Sequence, residues 1–140
     1  MPTPIQNPAG YAVNRAVAFA DADGSMLPVT ADTPLPVALR IAPVTALAGT
    51  AAMTSLVGPY QPVPGRAVML TLSGTWTGTV RVVRSADGGA TRQPLTIAGN
   101  AWAQFSANAC EPVWDESESA ATLYLEIALS AGSVTYRMAQ

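Results

Sequence analysis

Prolines restrict the first third of this chain more than any other feature does. Seven of the twelve prolines fall within residues 1–43, and each of them lacks a backbone N–H and has a fixed φ, so a continuous helix is excluded there. Leu27-Pro28-Val29 recurs eight residues later as Leu35-Pro36-Val37, and such X-Pro repeats hold a chain extended. We therefore expect residues 1–44 to be an extended arm with short strands, available for contact with another surface. A disordered linker is the alternative.

Two local signals interrupt this arm. Weak alternation over residues 13–20 predicts a short strand, and Asp21 to Gly24 predicts a turn. Asp21 and Asp23 also resemble the opening of a calcium-binding loop. The next five residues, Ser-Met-Leu-Pro-Val, do not continue that motif, so the turn is the preferred interpretation.

From residue 45 onwards the pattern is that of short strands. The alanine-rich segment 45–57 favours a strand over about 50–57 rather than a short helix, and the prolines and glycines of 58–65 indicate a loop. Strands are predicted at 66–72, 78–85, 91–98, 101–107, 122–129 and 133–139, with turns between them. In 122–129, leucine and isoleucine alternate with other residues, as in a half-buried strand. We predict an all-β fold, an antiparallel β-sandwich of the jelly-roll or Ig-like kind, over residues 45–140.

Charge is scarce in this sequence. Charged residues make up 11% of the chain, where a typical soluble domain has about 25%, and 49% of the residues are hydrophobic. This composition favours a subunit that buries much of its exterior against copies of itself or other proteins, although abundant alanine alone could produce it. The basic residues are seven scattered arginines in a chain of net charge -2, which argues against nucleic acid as a partner. With neither a long apolar run nor a signal-peptide pattern, we expect no membrane partner and no export.

The sequence offers little for catalysis. It contains no histidine and no lysine, so the serine–histidine and cysteine–histidine nucleophile systems are excluded, and a general base would have to be a carboxylate or Cys110. The single cysteine excludes an intrachain disulfide, and the lack of histidine excludes the usual transition-metal ligand sets. We predict no enzyme activity, no cofactor and no metal, with Cys110 as an inert buried thiol.

An acidic group and the aromatic residues each allow two interpretations. Glu111, Asp115, Glu116 and Glu118 lie close in sequence and could bind calcium or act as an acid–base pair, but their spacing fits no known calcium loop, so a solvated acidic loop is preferred. The large aromatic residues could form a sugar-binding face, but a core or a subunit interface is preferred. They are Trp76, Trp102, Trp114, Tyr60, Tyr124 and Tyr136.

One turn has a motif of its own. The segment Ser85-Ala-Asp-Gly-Gly-Ala-Thr91 resembles the Asp-box, Ser-x-Asp-x-Gly-x-Thr-Trp, a hairpin repeated in sialidase propellers and found in other β proteins. Arg92 stands where the motif has tryptophan, and the motif occurs once in a chain too short for a propeller. It therefore predicts a structural turn and not a sialidase. The predicted turn residues are Ser85, Asp87, Gly88, Gly89 and Thr91.

Three further segments resemble small virion structural proteins of tailed bacteriophages. These segments are Ser73-Gly-Thr-Trp-Thr-Gly-Thr-Val, Arg84-Ser-Ala-Asp-Gly-Gly and Gly132-Ser-Val-Thr-Tyr-Arg137, and the resemblance covers residues 65–140, about half the chain. The Leu-Pro-Val repeat of the arm is similar to the leading segments of phage head and tail accessory proteins. The family resemblance brings no catalytic residue with it.

The resemblance implies a role in a virion that is assembled in the cytoplasm of a bacterial host. We expect a capsid decoration (cement) protein that stabilises the phage head by bridging capsid subunits. Its partners would be the major capsid protein or other virion subunits and copies of itself. The alternatives are a tail, neck or fibre component of the same virion and a carbohydrate-binding module for host attachment, because one fold serves many roles.

Overall fold

The computed structural model describes residues 17–35 and 43–140. The chain divides into two compact units, Met1–Ile41 and Ala42–Gln140, and the predicted arm, 1–44, takes in the whole first unit. Residues 17–35 contain two strands, β1 (Ala18–Ala20) and β2 (Met26–Pro28), which pair antiparallel. The predicted turn lies between them. This part of the arm is therefore a hairpin rather than a single extended ribbon.

Side chains of the turn explain why the arm reverses. Asp21 Oδ1 accepts a hydrogen bond from the backbone N–H of Ala22 at 2.7 Å, and Asp23 Oδ1 accepts one from that of Ser25 at 2.8 Å. The backbone N–H of Gly24 donates to the carbonyl oxygen of Asp21 at 2.9 Å. Aspartate side chains stabilise turns in this way by binding nearby backbone donors.

Residues 43–140 form nine antiparallel strands and no helix. The main sheet has the order β10-β5-β11-β3, with β4 paired to β11 and with β6 and β9 paired to β5, and β7 and β8 form a separate hairpin. The prediction of an all-β antiparallel fold is confirmed. The strands are β3 (Leu47–Ala51), β4 (Ser55–Tyr60), β5 (Ala67–Ser85), β6 (Gln93–Pro94), β7 (Thr96–Ile97), β8 (Asn100–Ala101), β9 (Gln104–Phe105), β10 (Ala109–Asp115) and β11 (Thr122–Ala139).

Two long strands dominate the sheet, and here the predicted strand boundaries are wrong. Residues 66–72 and 78–85 were expected as separate strands, as were 122–129 and 133–139, yet β5 and β11 run through both intervening segments and pair along their length. The glycines in those segments do not reverse the chain. A Cβ on Gly78 would lie 2.1 Å from the carbonyl oxygen of Ala128, and one on Gly132 would lie 2.1 Å from that of Thr75. These glycines allow two long backbones to approach closely.

A bulge in β11 determines which side chains face the core. The pairing with β5 shifts between Leu129 and Ala131, so Ser130 is one extra residue, and an extra residue exchanges the two faces of a strand. Odd-numbered residues such as Leu125 are buried before the bulge, and even-numbered residues such as Met138 are buried after it. The predicted alternation is therefore found, but it changes parity where a hairpin had been expected.

One core joins both halves of the two long strands. The same hydrophobic cluster contains side chains from each half of β5 and each half of β11. The halves thus place their inner faces against each other, as the two sheets of a β-sandwich do. The fully buried members include Val68, Leu70, Val80, Val82, Leu123, Leu125, Ile127, Val134 and Met138.

Other strand boundaries in this unit also differ from the prediction. The strand expected at about 50–57 is two strands, β3 and β4, and the expected loop at 58–65 begins only after Tyr60. Residues 91–107 form four strands of two residues each instead of two longer ones. No helix capable of crossing a membrane is found within residues 17–35 and 43–140.

Candidate functional site

The predicted Asp-box residues lie together at the end of β5 and in the loop that follows it. The backbone N–H of Gly89 donates to Ser85 Oγ at 2.8 Å, and the Ser85 hydroxyl donates to Asp87 Oδ1 at 2.7 Å. Asp87 Oδ2 accepts from the Thr91 hydroxyl at 2.6 Å, and its carboxylate also accepts from the Thr91 backbone N–H. These bonds, from the Thr91 donors first and then from Ser85, lower the pKa of Asp87 to about 2. The carboxylate is thus occupied in holding the turn.

The turn also contacts β11 through Arg92, the residue in place of the motif's tryptophan. Its Nη1 donates to the carbonyl oxygen of Gly89 at 2.6 Å, and its guanidinium lies 5.6 Å from the ring centre of Tyr124, a cation–π distance. Tyr124 is buried, and its hydroxyl lies against Gly89. Arginine therefore takes over the closing position of the turn. In the described ranges, no three Cys, Asp or Glu side chains are placed to hold a metal ion.

An ion pair between a buried glutamate and a partly buried arginine lies beside this turn. Arg84, at the end of β5, donates from Nε and Nη2 to the two carboxylate oxygens of Glu116 at 2.8 and 2.9 Å, and from Nη2 to Glu118 at 2.7 Å. Glu116 also accepts from the Trp114 indole at 3.1 Å and from the backbone N–H groups of Ser117 and Glu118. The hydrogen bonds from Arg84 are the largest cause that lowers the pKa of Glu116 to about 2, whereas burial acts to raise it. The carboxylates of Glu116 and Glu118 in turn raise the pKa of Arg84.

The expectation of a solvated acidic loop is wrong for Glu116. Its side chain is 2% exposed, whereas Glu111 and Asp115 lie on β10 and are exposed. A buried carboxylate requires a charged partner and hydrogen bonds, and Glu116 has both. Arg84 was not among the residues predicted from the sequence. Val80 and Val82 face inward on β5, and the strand alternation that places them there also turns Arg84 inward, which was the available signal.

The aromatic residues divide between the core and one exposed ring. Tyr60 and Tyr136 belong to the core, Trp76 and Trp114 pack partly buried against it, and Tyr124 is also buried. Trp76 Nε1 donates to Asn108 Oδ1 at 2.8 Å. The sugar-face interpretation fails for Tyr60, Tyr124 and Tyr136 because these three side chains are buried. The sixth, Trp102, is 41% exposed.

A second bulge holds Trp102 in place. In β10 the pairing with β5 shifts between Pro112 and Trp114, so Val113 is the extra residue, and a bulge leaves such a residue unpaired in the ladder. Its side chain is buried, and its carbonyl oxygen accepts a hydrogen bond from Trp102 Nε1 at 2.7 Å. The Trp102 ring is thereby fixed at the surface. It borders an open hollow of about 360 Å³, here called the Trp102 depression, with Ala67, Ile97, Pro112, Val113, Trp114 and Asp115.

Cys110 differs from the prediction of a buried thiol. It lies on β10 and is exposed, with its sulfur 3.6 Å from the Thr71 hydroxyl. Among the described strands, β10 pairs with β5 alone, and Cys110 lies on the outer face of that pair. An alternating strand at the edge of a sheet can leave a small apolar residue open to solvent.

The arm residues singled out from the sequence lie partly within the described ranges. Leu27 and Pro28 lie in β2, and Val29 follows it, with its backbone N–H donating to the carbonyl oxygen of Val17 at 2.9 Å. Leu35 is exposed. Pro36 and Val37 lie outside the described residues.

Comparisons with known proteins do not identify the chain. No protein-family model matches its sequence, and neither a curated protein nor a solved structure shows a significant match.

Proposed function

We propose that this chain is a non-catalytic virion protein of a tailed bacteriophage, a decoration protein that stabilises the head by bridging capsid subunits. The observation that carries the proposal is the state of the arm. None of residues 17–35 is buried, and its two strands have three residues each. A two-stranded hairpin without buried side chains is marginal in water, so packing on another surface would stabilise this one.

The apolar side chains of the arm fit such a role. Val17, Met26, Val29 and Leu35 are between 37% and 67% exposed. Covering a half-exposed side chain of this size contributes about 1 kcal/mol. A contact that covers all four would therefore supply several kcal/mol, which is enough to order a short hairpin on a neighbouring subunit.

The outer face of the sheet also suits close packing against other subunits. The first half of β5, 67–77, contains no charged residue, and the second half of β11, 131–139, contains only Arg137. The side chains on this face include exposed Ser73, Thr75, Ser133 and Thr135. Exposed Arg137 lies on the same face. Small side chains of this kind allow close approach of another protein, whose surface would have to supply hydrogen-bond partners for the hydroxyl groups. The sequence resemblance is to accessory proteins of both head and tail, and the head is the location that we propose.

Removal of the arm tests this function. A chain that lacks residues 1–41 should keep the cooperative unfolding of the second unit but should no longer be incorporated into phage particles. A matched pair of surface variants in the full-length chain separates the arm from general surface hydrophobicity. Met26→Ser with Val29→Ser should reduce incorporation, whereas Met53→Ser with Leu56→Ser, two exposed apolar residues of the second unit, should not. Normal incorporation of the arm-deleted chain would contradict the proposal.

A further inference from the structure

A row of four side chains crosses the outer face of the sheet from β4 to β9. On β11, Glu126 is paired with Leu56 of β4 and with Arg81 of β5. Arg81 is paired in turn with Gln104 of β9. Directly paired residues project to the same face of a sheet, and with strands about 4.8 Å apart the row is about 14 Å long.

Two adjoining hollows follow one side of this row. The next row contains Ala128 and Thr79, which are paired with each other, and their side chains are shorter than those of glutamate and arginine. The hollows measure about 250 and 430 Å³, and both border Glu126 and Ala128. Together they form a groove that runs across the strands, here called the cross-strand groove. Arg92 borders it on the side of β4.

The charged side chains of the cross-strand groove are held in place. Arg81 Nε donates to Glu126 at 2.5 Å, and Arg92 is fixed by the Gly89 carbonyl oxygen and the Tyr124 ring, as described above. Three charged residues thus border one groove in a chain of which only 11% is charged. Polar groups that are already positioned lose little entropy when a ligand binds.

Arg92 brings a positive charge that no carboxylate of the chain neutralises. All nine acidic residues lie within the described ranges, and none of the salt bridges found there includes Arg92. The charge of Arg81, by contrast, is balanced by Glu126. The groove therefore favours a ligand that carries a carboxylate, which a guanidinium can bind through two charge-assisted hydrogen bonds.

The other polar groups of the groove fit a sugar better than a peptide. The carboxylate of Glu126 accepts hydrogen bonds, and the amide of Gln104 and the hydroxyl of Thr79 both donate and accept, as each hydroxyl of a sugar does. Peptides are commonly held along a free sheet edge or by apolar anchors in a groove. Here β11 and β5 are paired on both sides, and Leu56 is the one apolar member of the row.

We propose that the cross-strand groove binds a short oligosaccharide that carries a carboxylate, as uronic and sialic acids do. Arg92 binds the carboxylate, and the side chains from Glu126 to Gln104 bind hydroxyl groups of the adjoining sugar residues. This binding site goes beyond the proposed function and uses no residue of the arm. Its failure would leave the decoration role unaffected.

Binding of the full-length chain to immobilised oligosaccharides tests the proposal. An array carries neutral, uronate-bearing and sialate-bearing oligosaccharides, and isothermal titration calorimetry then measures the affinity for the best ligand. Reduction of the ligand's carboxylate to an alcohol should weaken binding at least about tenfold, because the charge-assisted bonds to Arg92 are lost. Arg92→Gln should remove this preference for the carboxylate, and Arg92→Lys, which keeps the charge, should retain it.

Matched variants of β11 locate the site. Ala128→Gln fills the low part of the groove, whereas Ala131→Gln makes the same change at another exposed alanine of the strand, which borders neither hollow. Ala128→Gln should weaken binding at least about tenfold, and Ala131→Gln and Trp102→Ala should leave it unchanged. Gln104→Ala, at an exposed position, should weaken it several-fold. Thermal denaturation of each variant verifies that the fold is retained.

Four results would overturn the inference. They are no binding to any carboxylate-bearing oligosaccharide, full binding by both Ala128→Gln and Gln104→Ala, and no change in the carboxylate preference with Arg92→Gln. The fourth is binding of tetraglutamate as tight as that of the best oligosaccharide, which would identify an acidic peptide as the ligand. Loss of binding in Trp102→Ala alone would likewise overturn it and place the sugar at the Trp102 depression.

Discussion

Alanine in place of Gly89 should destabilise the chain much more than alanine in place of its neighbour Gly88. Both glycines have positive φ, 70° at Gly88 and 95° at Gly89, and a residue with a Cβ loses about 1–2 kcal/mol in that region. A Cβ on Gly88 would meet nothing within 4 Å, whereas one on Gly89 would lie 2.3 Å from the Tyr124 hydroxyl oxygen and 3.1 Å from Cζ. Tyr124 is buried under Arg92, so its ring has little room to move.

The expected magnitudes follow from these contacts. Gly88→Ala should lower the free energy of unfolding by about 1–2 kcal/mol. Gly89→Ala should lower it by about 2–5 kcal/mol, because a clash in a packed site adds about 1–3 kcal/mol to the backbone strain of about 1–2 kcal/mol. Urea denaturation of both variants measures the difference, provided that the dependence on denaturant concentration stays constant.

A double-mutant cycle with Tyr124→Phe isolates the clash. Phenylalanine lacks the hydroxyl that is closest to the new Cβ, so it should restore about 1 kcal/mol or more in the Gly89→Ala chain and nothing in the Gly88→Ala chain. Equal losses for the two alanine variants, or no recovery with Tyr124→Phe, would refute the placement of this turn against β11.

Four further predictions concern the carboxylates and the thiol. Glu116→Gln should lower the free energy of unfolding by about 2–3 kcal/mol, because it removes the buried partner of the ion pair with Arg84. Glu118→Gln, at the half-exposed partner, should lower it by less than about 1 kcal/mol. Similar losses for the two variants in urea denaturation would contradict the burial of Glu116. The pKa values of Glu116 and Asp87 in the folded chain lie near 2, below their ordinary values of 4.5 and 3.8. Both carboxylates therefore stabilise the fold fully above about pH 4.5 and lose this effect as pH falls towards 2. Glu116→Gln should reduce the loss of stability at acidic pH. Asp87→Asn should lower the Tm while a chelator leaves it unchanged, and a large drop with chelator alone would indicate a metal ligand instead of a turn. Cys110 should react stoichiometrically with Ellman's reagent in the folded chain, and protection until unfolding would show a buried thiol.

The sequence was sufficient for the fold class and for the Asp-box turn, because both depend on local patterns. Alternation over 122–129 and the paired glycines at 88 and 89 are short-range signals, and the structure follows them. Gly78 and Gly132 led to wrong predicted strand boundaries, because a glycine needed for close approach of two backbones cannot be distinguished in the sequence from one needed for a turn. The parity change at Ser130 was hidden for the same reason.

The ion pair and the exposed tryptophan could not be derived from neighbouring residues. Arg84 and Glu116 are 32 positions apart, so their contact depends on how β5 and the segment after β10 come together. Trp102 is exposed because its indole N–H is bound to the bulge at Val113, and a bulge has no clear sequence pattern here. Six aromatic residues of similar type therefore had different fates that only the tertiary structure separates.

The measurement that tests the proposed function most directly is an image reconstruction of the phage particle that incorporates this chain. We expect the second unit in many copies over the surface of the head, with density for the arm extending from each copy onto a neighbouring subunit. Copies confined to a tail, neck or single vertex would contradict the decoration role, and absence of the chain from the particle would contradict a virion function altogether.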